Sequence, residues 1–289
     1  MTTPQTKSEF QVVAEWVREL DVSAWGGDRF VGAPSREEGR LFGGLVIAQA
    51  AIAAGRTVDD RHLHSLHAYF LRSGRPQVPV EYHVERVRDG RTFTARRVLA
   101  VQAGEAICDT TVSFMRAEDG IAHQEELPAA PPPEELRDAR EVFWKSEDGS
   151  VPPLWPFEVR FVTPPDAAAR AGESLQAQEW VRVRSPLPDD PVIQSAALIF
   201  QSDAGSFAGI ERRYGCEGMV PKASASLDHA IWLHRPVQWD DWMLVVTDTP
   251  VAHGARALTL RQFWRRDGTH VATMAQEAIF RREQKPPRT

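Results

Sequence analysis

Two stretches of the chain are long, apolar and almost free of charge. Residues 41–55 read LFGGLVIAQAAIAAG and contain no charged side chain, while residues 191–210 contain one, Asp203. A helix that is apolar on every side has to be buried on every side. The charge-free stretch is also shorter than the roughly 18 residues that a membrane helix needs. The pattern therefore predicts core helices at 41–55 and 192–209.

Runs that are typical of strands surround the two predicted helices, each bounded by residues that favour turns. The predicted strands are residues 63–71, 78–88, 92–103 and 105–116 in the first half and 178–184, 225–233, 243–251, 256–265 and 270–281 in the second. Residues 8–20 carry an apolar stripe at helical spacing and predict a further helix. Residues 134–144 predict a short helix, and residues 21–36 a loop.

The second half of the chain repeats the order of the first. Gly90 and Gly254 precede matching strand pairs, and Gly104 and Gly268 lie in the next turns; both pairs are 164 residues apart. The segment HAYFL of the first half also has a counterpart, HAIWL, 162 residues later. Each half is thus predicted to be one buried helix followed by antiparallel strands, which indicates an internal duplication.

A helix without a polar face needs an apolar wall, and a sheet curled around it supplies one. The predicted fold class is α+β, a double hotdog, in which two tandem helix-wrapped antiparallel sheet units form one pseudo-symmetric module and cover each other's edge strands. The predicted divisions are an N-terminal hotdog at 1–117, a connector at 118–165 and a C-terminal hotdog at 166–289. Clustered prolines such as Pro131-Pro132-Pro133 mark the connector.

Composition narrows the classes of function. The net charge of −6 offers no basic face for nucleic acid. The first residues lack the basic and apolar regions of a secretory signal, and no stretch predicts a membrane helix, so a cytoplasmic protein without a membrane partner is expected. Cys108 and Cys216 are far apart and indicate neither a disulfide framework nor a metal site.

Few residues carry a recognisable motif of chemistry. The chain has no G-x-S-x-G, G-x-G-x-x-G, P-loop or H-E-x-x-H pattern. In the segment HLHSLH, His62 and His64 would share one face of a strand and His67 would face the other. No carboxylate or cysteine is spaced to complete a metal site, so local hydrogen bonding of these histidines is the favoured interpretation and no metal is predicted.

Asp203 is the most informative single residue, because a lone carboxylate in an apolar helix is costly unless it has partners. It either ends the helix ahead of Gly205 or acts as a general base in a dry cleft, the interpretation that we favour. Ser226 and Gln276 are candidates to position a water molecule, and structural hydrogen bonds explain both equally well on spacing alone. Gly43-Gly44 either allows close packing of the first helix or presents its amides to a carbonyl oxygen.

The segments around these residues resemble the acyl-CoA thioesterase II family of double-hotdog hydrolases. The resemblance rests on six segments, FGG with QA at 42–50, HSLHAYFLRSG at 64–74, RDGRTFTARRV at 88–98, QSD at 201–203, LDHAIWLHRP at 227–236 and ATMAQEAIFR at 272–281. It covers the chain from about residue 8 to 282, while the connector matches poorly. It departs from the family at Leu45, where relatives often have Gln after the paired glycines.

The resemblance implies a fatty acyl-CoA thioesterase that releases a free acid and coenzyme A. Its catalytic trio falls on Asp203, Ser226 and Gln276, which activate and orient an attacking water without metal, cofactor or acyl-enzyme. The resemblance also implies a homo-oligomer. The residues that bind the coenzyme A phosphates stay open, with Arg96, Arg97 and Arg235 as candidates that salt bridges explain equally well.

Two other functions are compatible with the same fold. A non-catalytic acyl-CoA-binding module would hold the substrate without turnover, and the intact trio argues against it. A hotdog enoyl-CoA hydratase would need an Asp and His motif near a helix start, and the sequence contains none.

Overall fold

The computed structural model describes residues 7–35, 39–144, 151–163, 173–215 and 224–281. The helices are α1 (Glu9–Leu20), α2 (Gly43–Gly55), α3 (Ala139–Val142), α4 (Pro191–Asp203) and α5 (Ala208–Tyr214). The strands are β1 (Val22–Ala24), β2 (Arg29–Gly32), β3 (His62–Phe70), β4 (Val80–Asp89), β5 (Phe93–Gln102), β6 (Glu105–Met115), β7 (Phe157–Phe161), β8 (Ala177–Val183), β9 (Ala225–Ser226), β10 (Asp228–Leu233), β11 (Met243–His253), β12 (Arg256–Arg265) and β13 (His270–Ile279).

All the strands belong to one antiparallel sheet. Its order is β1-β2-β4-β5-β6-β3-β10-β13-β12-β11-β8-β7, and β9 pairs with β13. The halves join where β3 pairs with β10, with Ala68 opposite His229. Because each half runs outward from this seam in the same order, the sheet confirms the internal duplication.

The two apolar helices lie side by side in the core and run in opposite directions. A Cβ added to Gly44 would lie 2.7 Å from the carbonyl oxygen of Phe200, and one added to Gly55 would lie 2.8 Å from the Val192 side chain. The start of α2 therefore meets the end of α4, and the glycines permit this close packing. Nearly every residue of both helices is buried, as the lack of charge predicts.

The largest differences between the predicted elements and the structure lie in five places. Residues 21–36 were predicted as loop but contain β1 and β2, and the connector contains β7, which pairs with β8 at the sheet edge. The short helix predicted at 134–144 is a 3-10 turn followed by α3. The predicted strand 225–233 is interrupted between β9 and β10. The predicted helix 192–209 ends earlier, at Asp203, and α5 follows α4 after a turn. These segments are too short to show a periodic pattern of apolar and polar residues. Strand pairing and packing therefore decide whether each forms a strand, a helix or a turn.

Cys216, named in the sequence analysis, lies outside the described residues. Within the described ranges, no helix combines the length and the apolar character that crossing a membrane requires. The division into two hotdog units and a connector, with boundaries after residues 117 and 165, stays a prediction.

Candidate active site

A cavity of about 730 Å³ opens where α2 begins and α4 ends. Parts of both halves of the chain surround it, because the two helices run in opposite directions and their facing ends meet. Its lining includes Gly43, Phe70, Cys108, Asp203, Ser206 and Ser226. The cavity therefore contains the only charged residue of α4.

Asp203 is the last residue of α4, and its carboxylate lies at the cavity with the residue only 8% exposed. A Cβ added to Gly43 would lie 3.1 Å from Asp203 Oδ2 and 3.0 Å from the Phe70 ring. A larger residue at position 43 would thus crowd the carboxylate. Asp203 ends its helix, as one interpretation of the sequence had it, and it also faces the cavity.

The structure brings Ser226 and Gln276 to Asp203 from two neighbouring strands. Gln276 Nε2 donates to Ser226 Oγ at 2.6 Å, and Ser226 Oγ donates to Asp203 Oδ1 at 3.5 Å. Gln276 Nε2 also donates to Ser206 Oγ at 3.1 Å, just beyond α4. The strands β9 and β13 set this arrangement, since Ser226 pairs with Ala278, two residues from Gln276. The result is one hydrogen-bonded chain of four polar side chains, Asp203, Ser226, Gln276 and Ser206, beside the cavity.

Residues 33–115 match the acyl-CoA thioesterase N-terminal domain, and residues 124–280 match the acyl-CoA thioesterase C-terminal domain. The chain belongs to the acyl-CoA thioesterase family. It is 36% identical over 264 residues to acyl-coenzyme A thioesterase 8 of Rattus norvegicus, a match that covers 84% of this chain and 80% of the relative. It is 35% identical over 256 residues to acyl-CoA thioesterase 2 of Haemophilus influenzae, covering 84% of this chain and 88% of that protein.

Solved structures agree with this thioesterase assignment. The crystal structure of acyl-CoA thioesterase II TesB2 from Mycobacterium marinum has a TM-score of 0.78 and 38% identity, covering 92% of this chain and 98% of that one. A hot dog fold protein from Alicyclobacillus acidocaldarius has a TM-score of 0.74 at 19% identity, covering 93% and 99%, and supports the fold alone. The predicted α+β double hotdog and the thioester hydrolase class are confirmed.

His229 of the thioesterase contacts Gln276 on the side away from Ser226, and it was not among the site residues predicted from the sequence. Its Nδ1 lies 2.5 Å from Gln276 Oε1, and its Nε2 lies 2.9 Å from Ser202 Oγ. Burial lowers the pKa of His229, although the nearby Asp203 carboxylate acts in the opposite direction. A neutral imidazole with its proton on Nδ1 donates to the amide oxygen and so fixes which way the amide points. The HAIWL repeat marked this histidine, but only as a sign of duplication.

Arg261 is a second group that the sequence did not single out. It is fully buried on β12, where Nη2 donates to Glu179 Oε1 at 2.6 Å and Nη1 donates to the carbonyl oxygen of Ser202 at 3.0 Å. Nη1 also reaches the carbonyls of Gln201 and Ala204. Burial raises the pKa of Glu179 and lowers that of Arg261. The guanidinium therefore satisfies the last carbonyls of α4 directly beside the catalytic candidate.

The arginines proposed for the coenzyme A phosphates do not line this cavity. Arg96 is buried and bonds Asp89 Oδ1 at 2.7 Å, while Arg97 forms a surface pair with Asp109. Arg235 lies in a separate pocket at the opposite ends of α2 and α4. Arg96 and Arg97 therefore fit the salt-bridge interpretation that the sequence left open, whereas Arg235 donates to the carbonyl oxygen of His234. Within the described part of the chain, the arginines that line the thioesterase cavity are Arg40 and Arg72.

His64, His67 and Cys108 take part in hydrogen bonding and packing rather than in chemistry. His64 Nε2 lies 2.8 Å from Ser113 Oγ, and the His67 ring packs edge-on against Trp232. Across the described part of the thioesterase, no group of His, Cys, Asp and Glu side chains is placed to hold a metal ion. Burial raises the pKa of Cys108 to about 12, so its thiol stays protonated at neutral pH and is a poor nucleophile even though it lines the cavity.

Proposed function

We propose that this enzyme hydrolyses fatty acyl-CoA to a free acid and coenzyme A by direct attack of water, with Asp203 as the general base. The observation that carries the proposal is a nearly buried carboxylate at a cavity, joined through Ser226 to Gln276. Asp203 accepts a hydrogen bond from the water and removes its proton as the bond to the thioester carbon forms. The thiolate of coenzyme A leaves without a strong acid, and the reaction needs no cofactor.

Ser226 and Gln276 orient the reacting groups. The Ser226 hydroxyl donates to the carboxylate and accepts from the amide, so its single proton has one direction. This arrangement directs one carboxylate oxygen of Asp203, Oδ1, toward Ser226 and leaves the other, Oδ2, beside Gly43 at the cavity. A fixed base and a fixed water reduce the entropy that the attack would otherwise lose.

The first amides of α2 are suited to stabilise the thioester oxyanion. Leu45 N and Val46 N make the first intrahelical bonds, both to the Phe42 carbonyl. The N–H groups of Gly43 and Gly44 precede them and have no acceptor within the helix. Gly43 lines the cavity next to Asp203, so a carbonyl oxygen there would meet the positive end of the helix dipole.

The arrangement favours hydrolysis over the two alternatives. In a hydratase an Asp and a His would share the substrate, but the His229 nitrogens bond Gln276 and Ser202 instead. A binding module without turnover would gain nothing from burying Asp203 beside Ser226. A cytoplasmic location and a homo-oligomer stay predictions.

A single-turnover reaction in H₂¹⁸O tests the proposed attack. With enzyme in excess over acyl-CoA, direct attack places one ¹⁸O in the released acid and none in the protein. Hydroxylamine should trap no acyl-enzyme. An ¹⁶O-only acid, or ¹⁸O in the Asp203 peptide, would show instead that the carboxylate is a nucleophile.

Replacing His229 by leucine should lower kcat roughly 5- to 150-fold, because the Gln276 amide oxygen loses its donor and the amide is free to turn. Asparagine places an N–H near the position of Nδ1, so His229→Asn should recover most of the loss. Steady-state thiol release measures both variants. Equal defects in both would mean that packing, rather than the hydrogen bond, is what His229 supplies.

The same histidine should make stability depend on pH. Because the folded pKa of His229 is lowered from its ordinary 6.5, the unfolded chain binds the extra proton first as the pH falls. The contribution is present above pH 6.5 and is lost as the pH falls through the folded pKa. Urea unfolding at several pH values should therefore show less acid sensitivity in His229→Asn than in the wild type.

A further inference from the structure

A second cavity, of about 1220 Å³, lies on the far side of Trp155 from the catalytic cavity. It is lined by residues of α1, by residues 33–35 and by residues 151–156 of the connector, together with Lys7 and Arg140. Trp155 lines both cavities, so the two spaces share this side chain as a wall. The second cavity has no role in the chemistry proposed above.

Helix α4 connects Asp203 to the wall that the two cavities share, because Phe200 of this helix contacts Trp155. Phe200 precedes Asp203 by three residues, or about one helical turn. Its ring centroid lies 5.6 Å from that of Trp155, 4.9 Å from that of Phe42 and 5.1 Å from that of Trp16. Phe42 lines the catalytic cavity and Trp16 lines the second one. These four rings form an aromatic partition between the two spaces.

The lining of the second cavity combines apolar side chains with charged ones. The apolar side chains beyond the partition include Val12 and Leu154, together with four prolines. The charged residues of its lining come from α1 and from Arg140 and Lys7. Ligand sites are mostly apolar with a few polar groups, and an extended hydrocarbon chain needs no polar partner. A chain that starts at the thioester beside Asp203 and runs back along α4 reaches the partition after one turn.

We propose that the second cavity receives the distal methylenes of long acyl chains and that Trp155 sets the chain length at which they can enter. The proposal rests on the proposed function, because it needs the thioester carbonyl beside Asp203. Trp155 is a specificity-determining residue in this account. The chains of short substrates end before the partition, so Trp155 does not affect their turnover.

Trp155 is the member of the partition that can be changed with least effect on the fold. Phe200 is 2% exposed and Trp16 is 5% exposed, and each packs against at least two other rings. Trp155 is half-buried, precedes β7 and, among the residues that the structure describes, has one ring contact, with Phe200. Its backbone is held independently of the ring, since Arg184 Nε donates to its carbonyl oxygen at 3.1 Å.

The test is kcat/KM measured by thiol release over straight-chain acyl-CoAs from butyryl to stearoyl, for the wild type and Trp155→Ala. Each methylene newly removed from water is worth roughly fourfold, so two give about fifteenfold. The ratio of long-chain to short-chain kcat/KM should rise at least about tenfold in the variant, with butyryl-CoA changed less than about threefold. Trp155→Leu repeats the test with a smaller opening, in case the alanine variant does not fold.

Two further variants make the result specific. Val151 lines the second cavity and is 39% exposed, so Val151→Trp in the Trp155→Ala background should narrow the space and reverse the gain for long chains alone. Trp144 is a connector tryptophan that lines neither cavity, and Trp144→Ala should leave the profile unchanged.

An unchanged ratio in the folded Trp155 variants, or the same rise in Trp144→Ala, would overturn the proposal. Loss of both short-chain and long-chain turnover in Trp155→Ala with the fold intact would also overturn it. A wild-type enzyme that turns over no acyl-CoA of any length would contradict the proposed function itself, and the partition proposal with it.

Discussion

Replacing Asp203 by asparagine is expected to lower kcat/KM for acyl-CoA by about 10²–10⁴-fold, the usual range for loss of a general base. Asparagine keeps the shape of the side chain and can still accept from Ser226 Oγ, so the cavity should stay intact. It cannot remove a proton from water at neutral pH. The fall should therefore appear in kcat at every chain length, with the midpoint of urea unfolding close to that of the wild type.

Glu211 provides a matched control for this variant. It lines the same cavity, and burial raises the pKa of its carboxyl group. Glu211→Gln should lower activity less than about threefold. The side-chain hydrogen bonds that the structure describes for Ser226 and Gln276 do not include Glu211. A large loss in Glu211→Gln together with near wild-type activity in Asp203→Asn would show that the general base is Glu211 and not Asp203.

Replacing Arg261 by methionine should destabilise the folded protein by about 3–5 kcal/mol, the typical effect of removing one partner from a buried ion pair. Methionine fills much of the same volume, but Glu179 keeps its charge in the core without a guanidinium. The carbonyls at the end of α4 also lose their donor. Activity should fall with stability, because those carbonyls belong to the turn of helix that carries Asp203.

The pH dependence of this variant identifies the cause. The pKa of Glu179 is already raised by burial from its ordinary 4.5, and removing the arginine raises it further. A carboxyl with a raised folded pKa favours the folded state below its unfolded pKa and loses that contribution as the pH rises through the folded pKa. The deficit of Arg261→Met should therefore shrink as the pH falls toward 4.5.

A double variant and a surface pair complete the measurement. Arg261→Met with Glu179→Leu removes both charges and should recover at least about 2 kcal/mol of the loss, while kcat stays low because the α4 carbonyls still lack a donor. The exposed pair of Arg256 and Glu277 is the control, and Arg256→Met should change stability by less than about 1 kcal/mol. Urea unfolding of the wild type and of the three variants measures their free energies of unfolding. An Arg261→Met variant as stable as Arg256→Met would contradict the expected effect.

Most of the fold could be predicted because its signals are local. The two core helices show as stretches without charge, and the strands of both halves show as alternating runs between turn residues. The duplication shows in the spacing of glycines. The predicted strand 256–265 coincides with β12, whereas β1, β2 and β7 were missed. Three to five residues display no period, and the pairing partner of such a strand decides whether it forms.

The candidate site was likewise predicted only in part from the sequence. The sequence by itself singled out Asp203, because one carboxylate in an apolar helix is visible without a structure, and the family motifs pointed to Ser226 and Gln276. Only the tertiary structure decided that α4, β9 and β13 bring these side chains together, that His229 and Arg261 support them, and that Trp155 lies between two cavities. Burial pattern is a property of neighbours along the chain, whereas a hydrogen-bond partner or a shared wall depends on which distant segments meet in space, and no local period encodes that meeting.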